Sequence, residues 1–157
     1  MSDEQRLPVI LDTDIGNDID DTWALAMILG CPQLDLKLVV TDYGNTPERT
    51  RLVAKLLERM GRTDIPIGTG LRTGHRGLKQ ARWLGDYDLG SYDGSVIEDG
   101  VGALIDAIHA HEKDAVLLTI GPIPNLEEAL RRDASIAQKT RIVAMAGSVR
   151  VGYEMQP

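Results

Sequence analysis

The sequence predicts an α/β fold: an open, mainly parallel sheet with helices on both faces, in the Rossmann-like manner. Three observations carry this prediction. Short apolar runs without strict alternation mark strands buried on both faces. Amphipathic stretches at helical spacing mark helices. The two kinds of segment alternate along the chain, which is the order expected of successive βα units. A chain of 157 residues suffices for one compact domain over residues 1–157 with a core of its own.

The first strand is LPVILDTD, followed by a helix whose Trp23, Ala24, Met27 and Ile28 are expected to form the apolar stripe. LKLVVTDYG, residues 36–44, repeats the strand signal. TPERTRLVAKLLERMG then keeps helical spacing through Leu52, Val53, Leu56, Leu57 and Met60, with Gly61 placed to end the helix. A short strand lies in IPIGTG, near residues 65–70. A polar, glycine-containing segment runs from there to about residue 99 and reads as loop. The helix GVGALIDAIHAHE, the strand AVLLTIG, the helix PNLEEALRRD and the strand RIVAMAG complete the alternation. In such sheets a ligand site lies outside the carboxyl ends of the strands, where the strand order switches. Asn45, Gly121 with Pro122, and Gly147 with Ser148 each follow a strand and converge on that mouth.

Charge narrows the partners. A net charge of -7 and a pI near 4.9 give no basic surface for a nucleic-acid backbone and favour a cation or a neutral small ligand. No apolar run approaches the ~18 residues of a membrane span, so no membrane partner is expected. Cys31 is the sole cysteine, and the N-terminal MSDEQRLPVI lacks the regions of a signal peptide; a cytoplasmic location is the expectation.

The densest chemical signal is ILDTDIGNDIDDTWAL, with aspartates at 12, 14, 18, 20 and 21 directly after an apolar strand. Gathered carboxylates raise one another's pKa unless a cation neutralises them. Oxygen ligands of this kind favour Ca²⁺ or Mg²⁺. One of the aspartates can instead cap the helix, the commoner role for any single residue, but five within ten positions ask for more. The spacing departs from a calcium-loop pattern, and no GxGxxG after a strand or GxxxxGK[ST] occurs. His109 and His111, two apart on a helix, face different sides, and His75 falls in a basic loop. The acidic run 85–100 reads as a solvated loop, and Cys31 as packing.

DTDIGNDIDDTWALA resembles the N-terminal signature of the nucleoside hydrolases of the inosine-uridine type, in which DxDPGxDD precedes an Ala-rich helix. VVTDYGN (39–45), DIPIGTG (64–70), LTIGPIPN (118–125) and IVAMAGSVRVGY (142–153) are similar to further segments of that family, in the same order. The resemblance implies the nucleoside hydrolase type of α/β fold, Ca²⁺ as cofactor, a ribonucleoside substrate and a homo-oligomer. It further implies that Asp14 is a Ca²⁺ ligand and the general base, Asp21 a second ligand and the carbonyl of Ile120 a third. Asp20 and Asn45 would bond the ribose hydroxyls, and Asp12 would orient the loop. Two extra residues precede Asp20 and Asp21, so Asp18 is a supporting candidate for the ribose contact. Ile15 stands at the usual proline, Ala146 precedes Gly147 where the family has a glycine doublet, and Tyr153 stands where many members have asparagine. Family members are longer, and their later half supplies a last carboxylate and further ribose contacts. The resemblance thus implies a truncated fold, inactive alone and completed by a missing C-terminal half.

The chemistry fits these residue types. Cleaving an N-glycosidic bond passes through an oxocarbenium-like state, with water on the sugar face opposite the base. A metal ion can hold that water and lower its pKa, and a carboxylate can take its proton. Two other readings are open. A phosphatase of the haloacid-dehalogenase type also begins with DxD after a strand, although no later lysine and acidic pair follow convincingly. A non-catalytic metal- or ribose-binding fragment is the third.

Overall fold

The computed structural model of the chain describes residues 6–147 and 151. These form strands β1 (Leu7–Thr13), β2 (Leu34–Thr41), β3 (Ile67–Thr69), β4 (Val96–Ile97), β5 (Val116–Thr119) and β6 (Arg141–Ala144). The helices are α1 (Asp20–Gly30), α2 (Thr46–Arg59), α3 (Ala81–Leu84), α4 (Gly100–Ala110) and α5 (Pro124–Arg132). The strands form one six-stranded sheet in the order β4-β3-β2-β1-β5-β6, and every pairing is parallel. The chain therefore winds outward from β1 through β2, β3 and β4 on one side, then crosses to β5 and β6 on the other. The switch falls between β1 and β5.

Strand parity builds two cores. Val9 and Leu11 of β1 and Val39 of β2 pack with Leu25 and Ile28 of α1 and Leu52, Val53 and Leu57 of α2. Ile10, Leu38, Val40 and Leu117 point the other way, onto Val101, Leu104 and Ile108 of α4 and Leu126 and Ala129 of α5. With apolar side chains buried on both faces, β1 and β2 had to be the nearly unbroken apolar runs that the sequence shows.

Three local expectations are corrected or refined. On α1 the buried residues are Asp21, Leu25 and Ile28, whereas Trp23 and Met27 are 67% and 72% exposed. The helix turns its carboxylate inward, and that rotates the anticipated stripe outward. The 70–99 segment is not loop throughout: it carries α3, a 3-10 turn at Leu89–Ser91 and β4. Those pieces, two to four residues long, are too short for a periodicity to register. Gly61 does close α2, in the left-handed conformation, with its N–H donating to Glu58 O and that of Arg62 to Leu57 O. The last loop anticipated for the mouth, at Ser148 and Tyr153, lies outside the described residues. Among the described residues no helix is long and apolar enough to cross a membrane.

Candidate active site at the strand switch

Asp14 is the first residue beyond β1, at the point where the strand order reverses. Its side chain is 24% exposed. Burial pushes its carboxyl up from the usual range, against the lowering effect of Arg49. Asp21, in the first turn of α1, is buried, and its Oδ1 accepts from Thr13 Oγ1 at 2.6 Å. Burial raises its pKa to about 6, with the charges of Asp14 and Asp20 adding to the effect. The turn after β5 closes on the same spot. Ile120 N–H donates to Asp12 O at 2.9 Å. A Cβ on Gly121 would come within 2.9 Å of Asp14 N and 3.0 Å of its Oδ1, so only glycine lets this turn lie against Asp14. Asp14 thus lies against the Ile120–Gly121 turn on one side and within charge interaction of Asp21 on the other, forming a rim.

The other anticipated residues divide. Asp20 is exposed at the start of α1, close enough for its charge to act on both Asp14 and Asp21. Asp18 is exposed and turned aside, pairing with Lys79 Nζ at 3.0 Å, while its carbonyl accepts from Gln80 Nε2. Asn45 stands half-buried before α2 at the rim of the β2 loop, and its Nδ2 donates to Glu48 Oε2 at 2.9 Å. Asp12 lies below the rim, fully buried, with Oδ1 accepting from Asn125 Nδ2 at 2.8 Å. Burial raises its pKa to about 7 despite that bond.

Two residues were not anticipated. Arg49, in α2, is a fully buried cation. Its Nε donates to Tyr43 O at 2.8 Å and its Nη1 to Ile15 O at 2.6 Å and to Asp14 O, so one side chain ties the β1 loop to the β2 loop. Asp42, after β2, is also fully buried, and burial together with the charge of Asp12 raises it to about 8. Both carried a usable signal. Arg49 stands four residues before Val53 on the buried stripe of α2, and Asp42 shares the core-facing parity of Leu38 and Val40.

The donors at the rim are carboxylate and carbonyl oxygens, which fit a hard divalent ion, although among the described residues no three His, Cys, Asp or Glu side chains gather to hold a metal unaided. A cleft of about 660 Å³ opens beside the acidic loop, lined by Ile15, Ile19, Leu52, Leu56, Lys79 and Trp83. The histidines lie elsewhere. His109 bonds Asp133 at the far side of α4, His111 ends that helix, and His75 is exposed beside Arg72.

With this geometry in view, comparisons with known proteins agree on one group. A family model described as inosine-uridine preferring nucleoside hydrolase matches residues 9–157. The pyrimidine-specific ribonucleoside hydrolase RihA of Enterobacter sp. (strain 638) is 32% identical over 160 residues, covering 93% of this chain and 50% of its own length. Uridine nucleosidase 1 of Arabidopsis thaliana is 29% identical, covering 88% of this chain and 44% of its own. Among solved structures, the plant nucleoside hydrolase PpNRh1 superposes with a TM-score of 0.76 at 32% identity, covering 93% of this chain and 49% of that one. A purine-preferring ribonucleoside hydrolase from Gardnerella vaginalis gives a TM-score of 0.72 at 25% identity, covering 92% of this chain and 50% of that one. The chain spans about half the length of the relatives it matches.

Proposed function

Because this chain belongs to the inosine-uridine preferring nucleoside hydrolase family, we propose that it forms the metal-binding and water-activating part of an enzyme cleaving the N-glycosidic bond of ribonucleosides to ribose and free base. The observation that carries this reading is the rim itself: Asp14 held against the Ile120–Gly121 turn at the strand switch, with Asp21, bonded by Thr13, close enough for its charge to interact with that of Asp14. The family match favours it over the phosphatase reading.

Asp14, Asp21 and the Ile120 carbonyl would hold the metal, with Ca²⁺ the ion that their hard, flexible oxygen set suits best. When bound, such an ion supplies positive charge and lowers the pKa of a water molecule. The chain's own groups do the rest. The Asp14 carboxylate takes the proton of the attacking water, and burial, by raising its pKa, makes it a stronger base for that role. Asp20 and Asn45 bond the ribose hydroxyls and fix the sugar, contacts that count most as the ring flattens toward the transition state. Asp18, committed to Lys79, is the weaker candidate for that contact. Thr13 orients Asp21, and Arg49 fixes the backbone that carries Asp14.

Relatives twice this span carry further polypeptide, and we take the working enzyme to be completed by such a segment, in a homo-oligomer or by a second chain. The test is ribose release from inosine and uridine with Ca²⁺ or with a chelator, set beside phosphate release from an aryl phosphate. Ribose release that requires Ca²⁺ supports the reading; phosphate release without ribose overturns it; Ca²⁺ binding without turnover in the completed assembly points to a binding module.

A further inference from the structure

Below the rim, on the sheet face covered by α4 and α5, lies a second group of oxygens that the proposed reaction does not use. Strand register sets Asp12 opposite Thr119 on β5 and Val40 on β2, and Asp42 follows Val40 by two. Asp12, Asp42 and Thr119 therefore stand at the carboxyl ends of three strands, on the same face as Ile10, Val40 and Leu117. All three are 0% exposed. Asn125 Nδ2 donates to Asp12 Oδ1 and to Thr41 O. Among the described residues, Asp12 Oδ2, both carboxylate oxygens of Asp42 and Thr119 Oγ1 accept no hydrogen bond of good geometry, although the backbone N–H of Tyr43 lies close enough to Asp42 to act on its carboxyl. Beside Asn125 and the end of β2 the backbone packs tightly: a Cβ on Gly70 would lie 2.1 Å from Thr41 O and 2.4 Å from Asn125 Nδ2.

Four buried oxygens without well-placed donors, two of them on one carboxylate, call for an occupant. Water could satisfy their hydrogen bonds but not their charge, and buried charge must be compensated. The local balance identifies what is missing. The buried Asp12, Asp21 and Asp42 and the partly exposed Asp14 are set against one buried cation, Arg49. With all four carboxyls ionised and a divalent ion at the rim, a single negative charge remains. We propose that Asp12, Asp42 and Thr119 bind one monovalent cation of the Na⁺/K⁺ class, which ties the ends of β1, β2 and β5 together beneath the catalytic rim. An all-oxygen set excludes soft metals. The charge balance rests on the rim reading given above; the orphaned oxygens do not.

Two measurements on the full chain test this. Crystals grown in Tl⁺ should show an anomalous peak between Asp12, Asp42 and Thr119. In K⁺ or Na⁺ the melting temperature should exceed that in choline chloride of equal ionic strength by roughly 5 °C. Asp42→Asn should abolish both signals, and Thr119→Val, a milder change should that variant fold poorly, should raise the half-saturating cation concentration about tenfold, a typical cost of losing a supporting group at a metal site. Equal melting temperatures with no peak would overturn the proposal in favour of a shared proton or water, as would an unaltered half-saturation in Thr119→Val. Calorimetric titration with Ca²⁺ on the same preparation reports the rim separately, so failure of one reading is distinguishable from failure of the other.

Discussion

Arg49 places Nη2 3.8 Å from Oδ2 of Asp14 while its other guanidinium nitrogens donate to the carbonyls of Asp14, Ile15 and Tyr43. One buried fork thus sets both the position and the charge environment of the proposed base. Its planar donors meet several carbonyls at once, which an ammonium cannot do.

Removing the fork has a pH signature. Burial raises the Asp14 carboxyl and Arg49 opposes that rise. In Arg49→Met the opposition is lost, the carboxyl rises further, and the acidic limb of kcat/KM moves to higher pH. Activity at the acid end falls ~10-fold for each unit of displacement. Arg49→Lys keeps a charge and loses the fork, so its limb should move less while its kcat still drops. Full pH–rate profiles of the three proteins check this.

Position 121, in the turn after β5, has no room for a Cβ. Gly121→Ala puts a methyl group within 3.0 Å of the Asp14 side chain and its backbone nitrogen, and one of the two loops must move. We expect Ca²⁺ affinity to fall by at least ~10-fold, since ligands displaced by a fraction of an ångström bind poorly. Calorimetric titration gives the number, and an unchanged far-ultraviolet circular dichroism spectrum shows that the fold persists.

Thr13 acts through Asp21. The 2.6 Å bond from its hydroxyl holds one carboxylate oxygen of Asp21 in place. Thr13→Val keeps the shape and deletes the donor, so metal affinity should weaken ~10- to 100-fold. Thr13→Ser should retain most of it. Comparing dissociation constants for the two variants separates the hydroxyl's effect from that of packing.

Stability should fall with rising pH in metal-free buffer. Asp12 and Asp42 are raised from 3.8 to about 7 and about 8 by burial. A carboxyl raised on folding binds its proton more tightly in the folded state, so its contribution is complete below the unfolded value and is lost as pH climbs through the folded one. The melting temperature in choline buffer with chelator should therefore decline between about pH 4 and pH 8. Asp42→Asn should flatten the curve over that range, provided the variant folds; thermal melts at several pH values decide.

The order of strands and helices was legible because buried parallel strands leave apolar runs, and the acidic loop because five aspartates in ten residues have few bland explanations. Less visible was which carboxylates face inward. Asp21 lies on the buried face of α1, and without strand contacts the same helix offered Trp23 and Met27 as its apolar side. Arg49 and Asp42 escaped notice because a charged residue next to an apolar stripe is ordinarily a solvated neighbour. The burial of Arg49 depends on the β1 and β2 loops, which meet over it only in three dimensions. Asp18 and Asp20 looked equivalent in sequence, and a contact 61 residues away, from Lys79, separates them.

The central claim is that Asp14, Asp21 and the Ile120 carbonyl form one divalent-cation rim where the strand order reverses. A crystal structure of the protein soaked with Ca²⁺ tests it most directly. The account predicts an ion ~2.3–2.6 Å from oxygens of all three groups. Well-ordered density in which both carboxylates turn toward bulk solvent, with no ion between them at saturating Ca²⁺, would contradict it.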